Sequence, residues 1–314
     1  MERTILALAV FVGLIGAREV EAEERGPIPI IDTHIHLYDP TRPEGVPWPP
    51  EGDKVLYRPV LADDFETVAK ENRLAATVIV EASDWVADNQ WVLDLTAHAA
   101  ERFIGLVGSL ELGSDSFGDD LATLAKDERF VGIRLRERVG GESYFERDEV
   151  WRDLKALSDA GLALDVLMFQ FTLEEVAMIG ERLPDLPILI NHVAGAAIDG
   201  EAPDEAWLKG IAAAAAQPNV RCKVSGLFQQ SGQRPSPKGL AFYRSTLDAL
   251  WEAFGADRLI YGSNWPVSDH GGTYGEYKRI VMRYLDEKGR ASAEKVLYKN
   301  ALDFYKIPAS RMGL

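Results

Sequence analysis

The chain has 314 residues, enough for one large α/β barrel or two average domains. Hydrophobic residues make up 46% and charged residues 27%, a balance that excludes a disordered or fibrous chain. A formal charge of −16 at pH 7 repels phosphate backbones and anionic lipid surfaces, so nucleic acid is not an expected partner.

The first 22 residues read as a signal peptide. Arg3 precedes an apolar stretch over 5–17, and Val20-Glu21-Ala22 then offers a cleavage site. The stretch is shorter than the roughly 20 residues that a bilayer span needs. The expectation is an exported protein, periplasmic or secreted, whose mature chain has no membrane span and whose residues 23–314 form one domain.

From residue 28 onward, short apolar runs alternate with amphipathic stretches. The runs cover 28–34, 76–81, 103–110, 131–135, 162–168, 187–192, 220–224 and 259–262. They are nearly continuous in Val, Ile and Leu, as strands buried on both faces of a parallel sheet are. Helical patterns lie between them at 63–73, 89–101, 150–160, 173–182, 204–216 and 245–254, with Asp63, Asp88 and Thr172 as candidate caps. The stretch 293–305 reads as a closing helix. Eight such units predict a single-domain (β/α)8 TIM barrel. A doubly wound sheet would show a glycine-rich turn after an early strand, and here the first strand ends in His-Ile-His. Residues 38–60 form a Pro-rich insertion carrying Trp48, expected to cover an active site.

In such a barrel, function collects where strands end. Those ends carry His34, His36, Glu81, Glu111, Arg134, Arg136, Gln170, His192, Ser225 and Asn264. His34 and His36 alternate along one strand, so both rings face one side with Asp32 below them, able to share a metal or polarise a carbonyl. His192 ends the sixth strand, and His270 falls in the loop after the eighth. Arg134 and Arg136 face one side of the fourth strand and require an anion, either an internal carboxylate or a substrate. Tyr38, Trp48, Trp85 and Trp265 fall in mouth loops, where they can stack on a sugar ring or serve as packing. Cys222, the single cysteine, sits in an apolar run and reads as an inert core thiol, and His98 reads as a surface residue.

Several of these pieces together resemble the amidohydrolase-related family that contains the sugar-acid lactonases and the pyrone-dicarboxylate lactonase. They are Asp32-Thr33-His34-Ile35-His36, Gly132-Ile133-Arg134, Asn191-His192, Lys223-Val224-Ser225-Gly226-Leu227, Gly262-Ser263-Asn264-Trp265-Pro266-Val267 and the closing Asn300-Ala301-Leu302-Asp303-Phe304-Tyr305. The resemblance spans residues 28–306. It implies hydrolysis of a lactone or related ester of a small polar substrate. It also implies a catalytic group of His34, His36, His192 and the residue at 264, with substrate contacts from Arg134, Arg136, Trp48, Trp265 and His270. A divalent metal, Zn²⁺ first, is either held by His34, His36 and His192 or absent. Related readings are a metal-dependent decarboxylase of the same superfamily and an exported barrel that only binds a sugar.

One position departs from the family pattern. Aspartate usually stands where this chain has Asn264, and a carboxamide cannot accept a proton near neutral pH. Either another base serves, with Glu81, Glu111, Asp269 and His270 as candidates, or the substitution leaves a site that binds without turnover.

Overall fold

The computed structural model describes residues 26–139 and 141–312, so the expected signal segment 1–22 lies outside the described residues. Among the described residues eight strands occur: β1 (Ile31–Ile35), β2 (Ala76–Val80), β3 (Phe103–Gly108), β4 (Phe130–Leu135), β5 (Ala163–Val166), β6 (Ile188–Ile190), β7 (Val220–Val224) and β8 (Leu259–Tyr261). Each pairs in parallel with the next, in chain order from β1 to β8. The ring closes just beyond β8, where the His36 amide donates to Trp265 O at 2.9 Å and the Asn264 amide to His34 O at 2.8 Å. This is the TIM barrel the alternation predicts.

Helices fill the connections: α1 (Ala62–Asn72), α2 (Val86–Thr96), α3 (Phe117–Leu124), α4 (Asp148–Asp159), α5 (Leu173–Arg182), α6 (Glu205–Ala215), the single turn α7 (Leu227–Gln230), α8 (Leu240–Phe254) and α9 (Tyr274–Lys288). Side-chain caps fix several starts. Thr172 and Glu175 form a reciprocal capping box, as do Thr273 and Glu276, and Asp204 accepts from the Trp207 amide. Asp63 and Asp88 are not caps: both sit inside the first turn, where a carboxylate meets the positive end of the helix. Among the described residues no helix is long and apolar enough to cross a membrane.

Two apolar layers follow from the strand alternation. Inside the ring lie Ile31, Val78, Ile104, Val131, Leu189 and Ile260, sealed from below by Phe304, Tyr305 and Ile307 of the closing C-terminal segment. Between strands and helices lies the larger layer, which includes Cys222, its thiol pushed up to about 12 by burial and therefore inert at neutral pH. Trp265 belongs to this outer layer. It is 3% exposed and packs on Phe65 with ring centroids 5.5 Å apart, so of the two roles left open for it, stacking on a ligand or packing, it takes the packing one. The cause is the closure itself, because its backbone is paired to β1.

Phe65 also meets Phe103 at 6.0 Å and is fully buried, so it joins α1 to the seam of the barrel. Truncation of Phe65 to alanine is expected to cost about 3–5 kcal/mol of unfolding free energy in urea titrations. A loss below about 1 kcal/mol would show that the α1 layer does not support the seam.

Candidate active site

The seam between β1 and β8 sets the site. Strand alternation alone would put Asp32, His34 and His36 on one face, but the register shifts between Asp32 and Ile35. Asp32 does not lie beneath the imidazoles. Its carboxylate accepts from the His34 and Ser263 amides at 3.0 and 2.9 Å and from the Tyr274 hydroxyl at 2.9 Å. It pins the seam and leaves the rings to other partners.

His34, His36 and His192 converge. Ring centroids of His34 and His36 are 5.0 Å apart, and those of His34 and His192 are 4.3 Å apart. His192 reaches this position through an unusual backbone: His192, Val193 and Ala194 have φ of 51°, 46° and 54°, followed by Gly195 at 68°. Non-glycine residues in this region store strain, which the surrounding packing must hold. Gly226 makes room for the ring, since a Cβ there would lie 2.8 Å from His192 Nδ1.

Each ring has a defined set of partners. His36 Nδ1 lies 3.0 Å from Val80 O and 3.2 Å from Glu81 O, and its Nε2 lies 3.1 Å from the Asn264 carboxamide. His192 Nδ1 lies 3.0 Å from Ser225 Oγ. His34 Nδ1 lies 3.4 Å from the Lys223 ammonium, while its Nε2 is buried with no hydrogen-bond partner. The surroundings of all three rings favour the neutral form. Burial, with the positive fields of Arg134, Lys223 and the neighbouring rings, holds His34 and His192 well below the usual imidazole range. Burial and Arg134 bring His36 down to about 3.

The arginines divide. Arg134 is spent on Glu81, with Nε donating to Oε1 at 2.6 Å and a second bond to Glu81 O at 2.9 Å. Its anion is therefore internal. Arg136 shares the other Glu81 oxygen at 3.3 Å and remains 24% exposed, so it keeps donors for a ligand. Trp48 stands edge-on to His36 at 5.6 Å, as expected of a cover, and Tyr38 is buried with its hydroxyl on Leu56 O. Trp85 is partly exposed at the start of α2, and His98 is exposed.

None of the candidate substitute bases is well placed. Glu81 is held by two guanidiniums, and Glu111 is exposed. His270 is bonded to Asp53 at 2.9 Å, a latch between the 38–60 insertion and the β8 loop. Asp269, raised to about 6 chiefly by burial, faces Arg58 at 4.0 Å and lines an open cleft beside the first turn of α9. The charged groups acting on the three rings are the cations Arg134 and Lys223.

That environment bears on a metal. Among the described residues no three His, Cys, Asp or Glu side chains form a group suited to a metal ion. The rings supply neutral nitrogen donors but no carboxylate, and an ammonium lies against one of them. Three imidazoles can hold zinc without a carboxylate, so the misfit lies in the placement: among the described residues the rings are not grouped for a metal ion, and the Lys223 ammonium lies against His34.

The polar hub beneath the rings was not singled out from sequence. Lys223, fully buried, donates to Asp165 Oδ2 at 2.7 Å and to Thr33 O at 2.8 Å. Asp165 also accepts from Asn191 Nδ2 at 2.8 Å and from the Tyr305 hydroxyl at 2.9 Å.

Comparison with known proteins agrees with this architecture. The family model described as amidohydrolase matches residues 31–307. An L-fucono-1,5-lactonase of Burkholderia ambifaria is 31% identical over 286 residues, covering 88% of this chain and 95% of the relative. The crystal structure of an amidohydrolase from Burkholderia multivorans with bound zinc superposes with a TM-score of 0.79 at 25% identity, covering 89% of this chain and all of that one. A probable 2-pyrone-4,6-dicarboxylic acid hydrolase from Acinetobacter baumannii shares the fold, with a TM-score of 0.68 at 17% identity over 88% of this chain and 99% of that one.

Neutral buried imidazoles make stability depend on pH. In the unfolded chain each binds a proton below about pH 6.5, and in the fold it does not. Their contribution is complete above that pH and is lost as pH falls toward the depressed folded values, by up to about 1.4 kcal/mol per unit for each ring. Urea titrations of metal-free protein are expected to show a loss of about 2–4 kcal/mol between pH 7.5 and 5.5. A stability unchanged over that window would mean that the rings are charged in the fold.

Proposed function

The chain belongs to the amidohydrolase family, and from that premise we propose that this hydrolase opens the ring of a small polar lactone of the sugar-acid type. Water adds to the lactone carbonyl, the ring C–O bond breaks, the departing ring oxygen takes up the proton that the water gives up, and the product is a hydroxy acid. The observation that carries this reading is the fully buried His34 Nε2 with no partner, set between two other neutral imidazoles. A buried polar atom left unpaired costs about 1–3 kcal/mol. A carbonyl oxygen that gains charge in the transition state is the partner such a site is built to take. The activity named for the Burkholderia ambifaria relative supports the same chemistry.

The other residues take supporting roles. Arg136, partly exposed at the mouth, binds a hydroxyl or carboxylate of the substrate. Trp48 shields His36 from bulk water. Asn264 orients the attacking water through its amide but cannot take its proton. Turnover is therefore expected to be slow beside that of a site with a carboxylate at 264. The apolar stretch over 5–17 supports export of the enzyme.

The test is hydrolysis of a panel of aldonolactones by wild type and Asn264→Asp, with chelator and with added Zn²⁺. Wild type is expected to hydrolyse at least one aldonolactone at a rate that chelator leaves unchanged. Asn264→Asp is expected to raise that rate by about 10²–10⁴, the usual value of a general base. No hydrolysis by either form, with a lower melting temperature for Asn264→Asp, would retire the hydrolase reading. A rate abolished by chelator and restored by Zn²⁺ would transfer carbonyl polarisation from the imidazoles to a metal.

A further inference from the structure

Any ring that polarises an oxygen must present a hydrogen to it, and a neutral imidazole carries only one. Which nitrogen bears it is fixed by the partner of the other nitrogen. In each ring one nitrogen lies beside a group whose own bonding decides the question.

Ser225 Oγ accepts from the His192 amide at 3.1 Å and lies 3.0 Å from His192 Nδ1. Ser225 is fully buried, and no other acceptor is in reach of its hydroxyl hydrogen among the described contacts. Full satisfaction requires the hydroxyl to donate to Nδ1. The His192 hydrogen then sits on Nε2. Lys223, two residues earlier on β7, plays the same part for His34. Its ammonium has no lone pair, so a hydrogen on His34 Nδ1 at 3.4 Å would meet three donors and no acceptor. Nδ1 of His34 is therefore the acceptor, and the unpartnered Nε2 carries the hydrogen.

His36 is held the opposite way. Its Nδ1 faces two backbone carbonyls, which only accept, so the hydrogen sits on Nδ1 and Nε2 keeps its lone pair. The Asn264 carboxamide beside it must then turn its Nδ2 to donate to His36, which leaves Oδ1 free to accept from water.

We propose that Lys223 on β7 and Ser225 just beyond its end are positioning residues that fix His34 and His192 as a pair of Nε2–H donors, while the Val80 and Glu81 carbonyls fix His36 as an acceptor. The chain turns directly after β7, where the Ser225 amide donates to Lys223 O at 2.9 Å, so the end of one strand reaches both rings, His34 through Lys223 and His192 through Ser225. The result is a two-donor oxyanion site made of side chains. This inference rests on the proposed carbonyl chemistry for its purpose, but the tautomers themselves are independent of turnover.

The experiment is nitrogen-15 NMR of histidine-labelled protein without substrate. The chain has only five histidines, so single His→Gln variants assign every ring. His34 and His192 are expected to show hydrogen on Nε2, and His36 on Nδ1. Ser225→Ala should convert His192 to a mixture of tautomers and lower kcat roughly 10–100-fold with a smaller change in KM, the usual scale for loss of an orienting partner. Ser225→Thr, which keeps the hydroxyl, should restore both readouts. Hydrogen on Nδ1 of His34 or His192 in wild type, or an unchanged His192 tautomer in Ser225→Ala, overturns the inference even if lactones are hydrolysed. The expected tautomers in a protein without hydrolytic activity would uphold it and sink only the proposed function.

Discussion

Lys223 and Asp165 lie fully buried within the barrel, 2.7 Å apart, and the rest of the site stands on that pair. Removing two charges from water is expensive, and their attraction offsets the cost only when the remaining hydrogen-bonding groups are satisfied. Here they are. Asp165 accepts from Lys223, Asn191 and the Tyr305 hydroxyl, and Lys223 donates to Asp165 and Thr33 O, with His34 Nδ1 and the Tyr305 hydroxyl each at 3.4 Å. Through these bonds the pair touches β1, β5, β7, the residue before His192 and the segment that closes the bottom of the barrel. Removal of either charge would leave the other buried alone, a cost of about 3–5 kcal/mol.

Above this floor, backbone geometry supplies what side chains cannot. The register shift in β1 turns Asp32 away to the Tyr274 hydroxyl, while alternation keeps His34 and His36 on one face. A left-handed run at His192–Gly195 and a close approach at Gly226 bring the third ring beside them. The rings are kept neutral by burial and nearby cations, and that neutrality lets them act as directed donors and acceptors. Glu81 contributes by occupying Arg134, which sits inside the pocket wall with its charge balanced.

Much of this was legible in the sequence, and the reasons are specific. Continuous Val, Ile and Leu runs at regular spacing require strands buried on both faces, and only a parallel α/β architecture provides them. His34, His36 and His192 could be brought together because each ends a strand and all strands of such a barrel point the same way. The role of Trp265 was not legible, because its burial follows from hydrogen bonds across the seam between residues far apart in the chain. The Lys223–Asp165 hub was visible but unread. A lysine inside Val220–Val224 and an aspartate inside Ala163–Val166, two strands with no solvent face, imply that each is the partner of the other. Asp32 went astray for a different reason. Alternation assumes a regular strand, and no residue in Ile31–Ile35 announces the shift of register.

The central claim is that the carbonyl oxygen of a lactone is received by ring N–H groups at the mouth of the barrel. It is tested most directly by a crystal structure with an inert lactam analogue of a hydrolysed lactone. The account predicts the lactam oxygen about 2.7–3.1 Å from His34 Nε2 and from His192 Nε2, with the ring beneath Trp48. A lactam bound with its oxygen directed away from both histidines, or in the cleft beside Asp269, would contradict it.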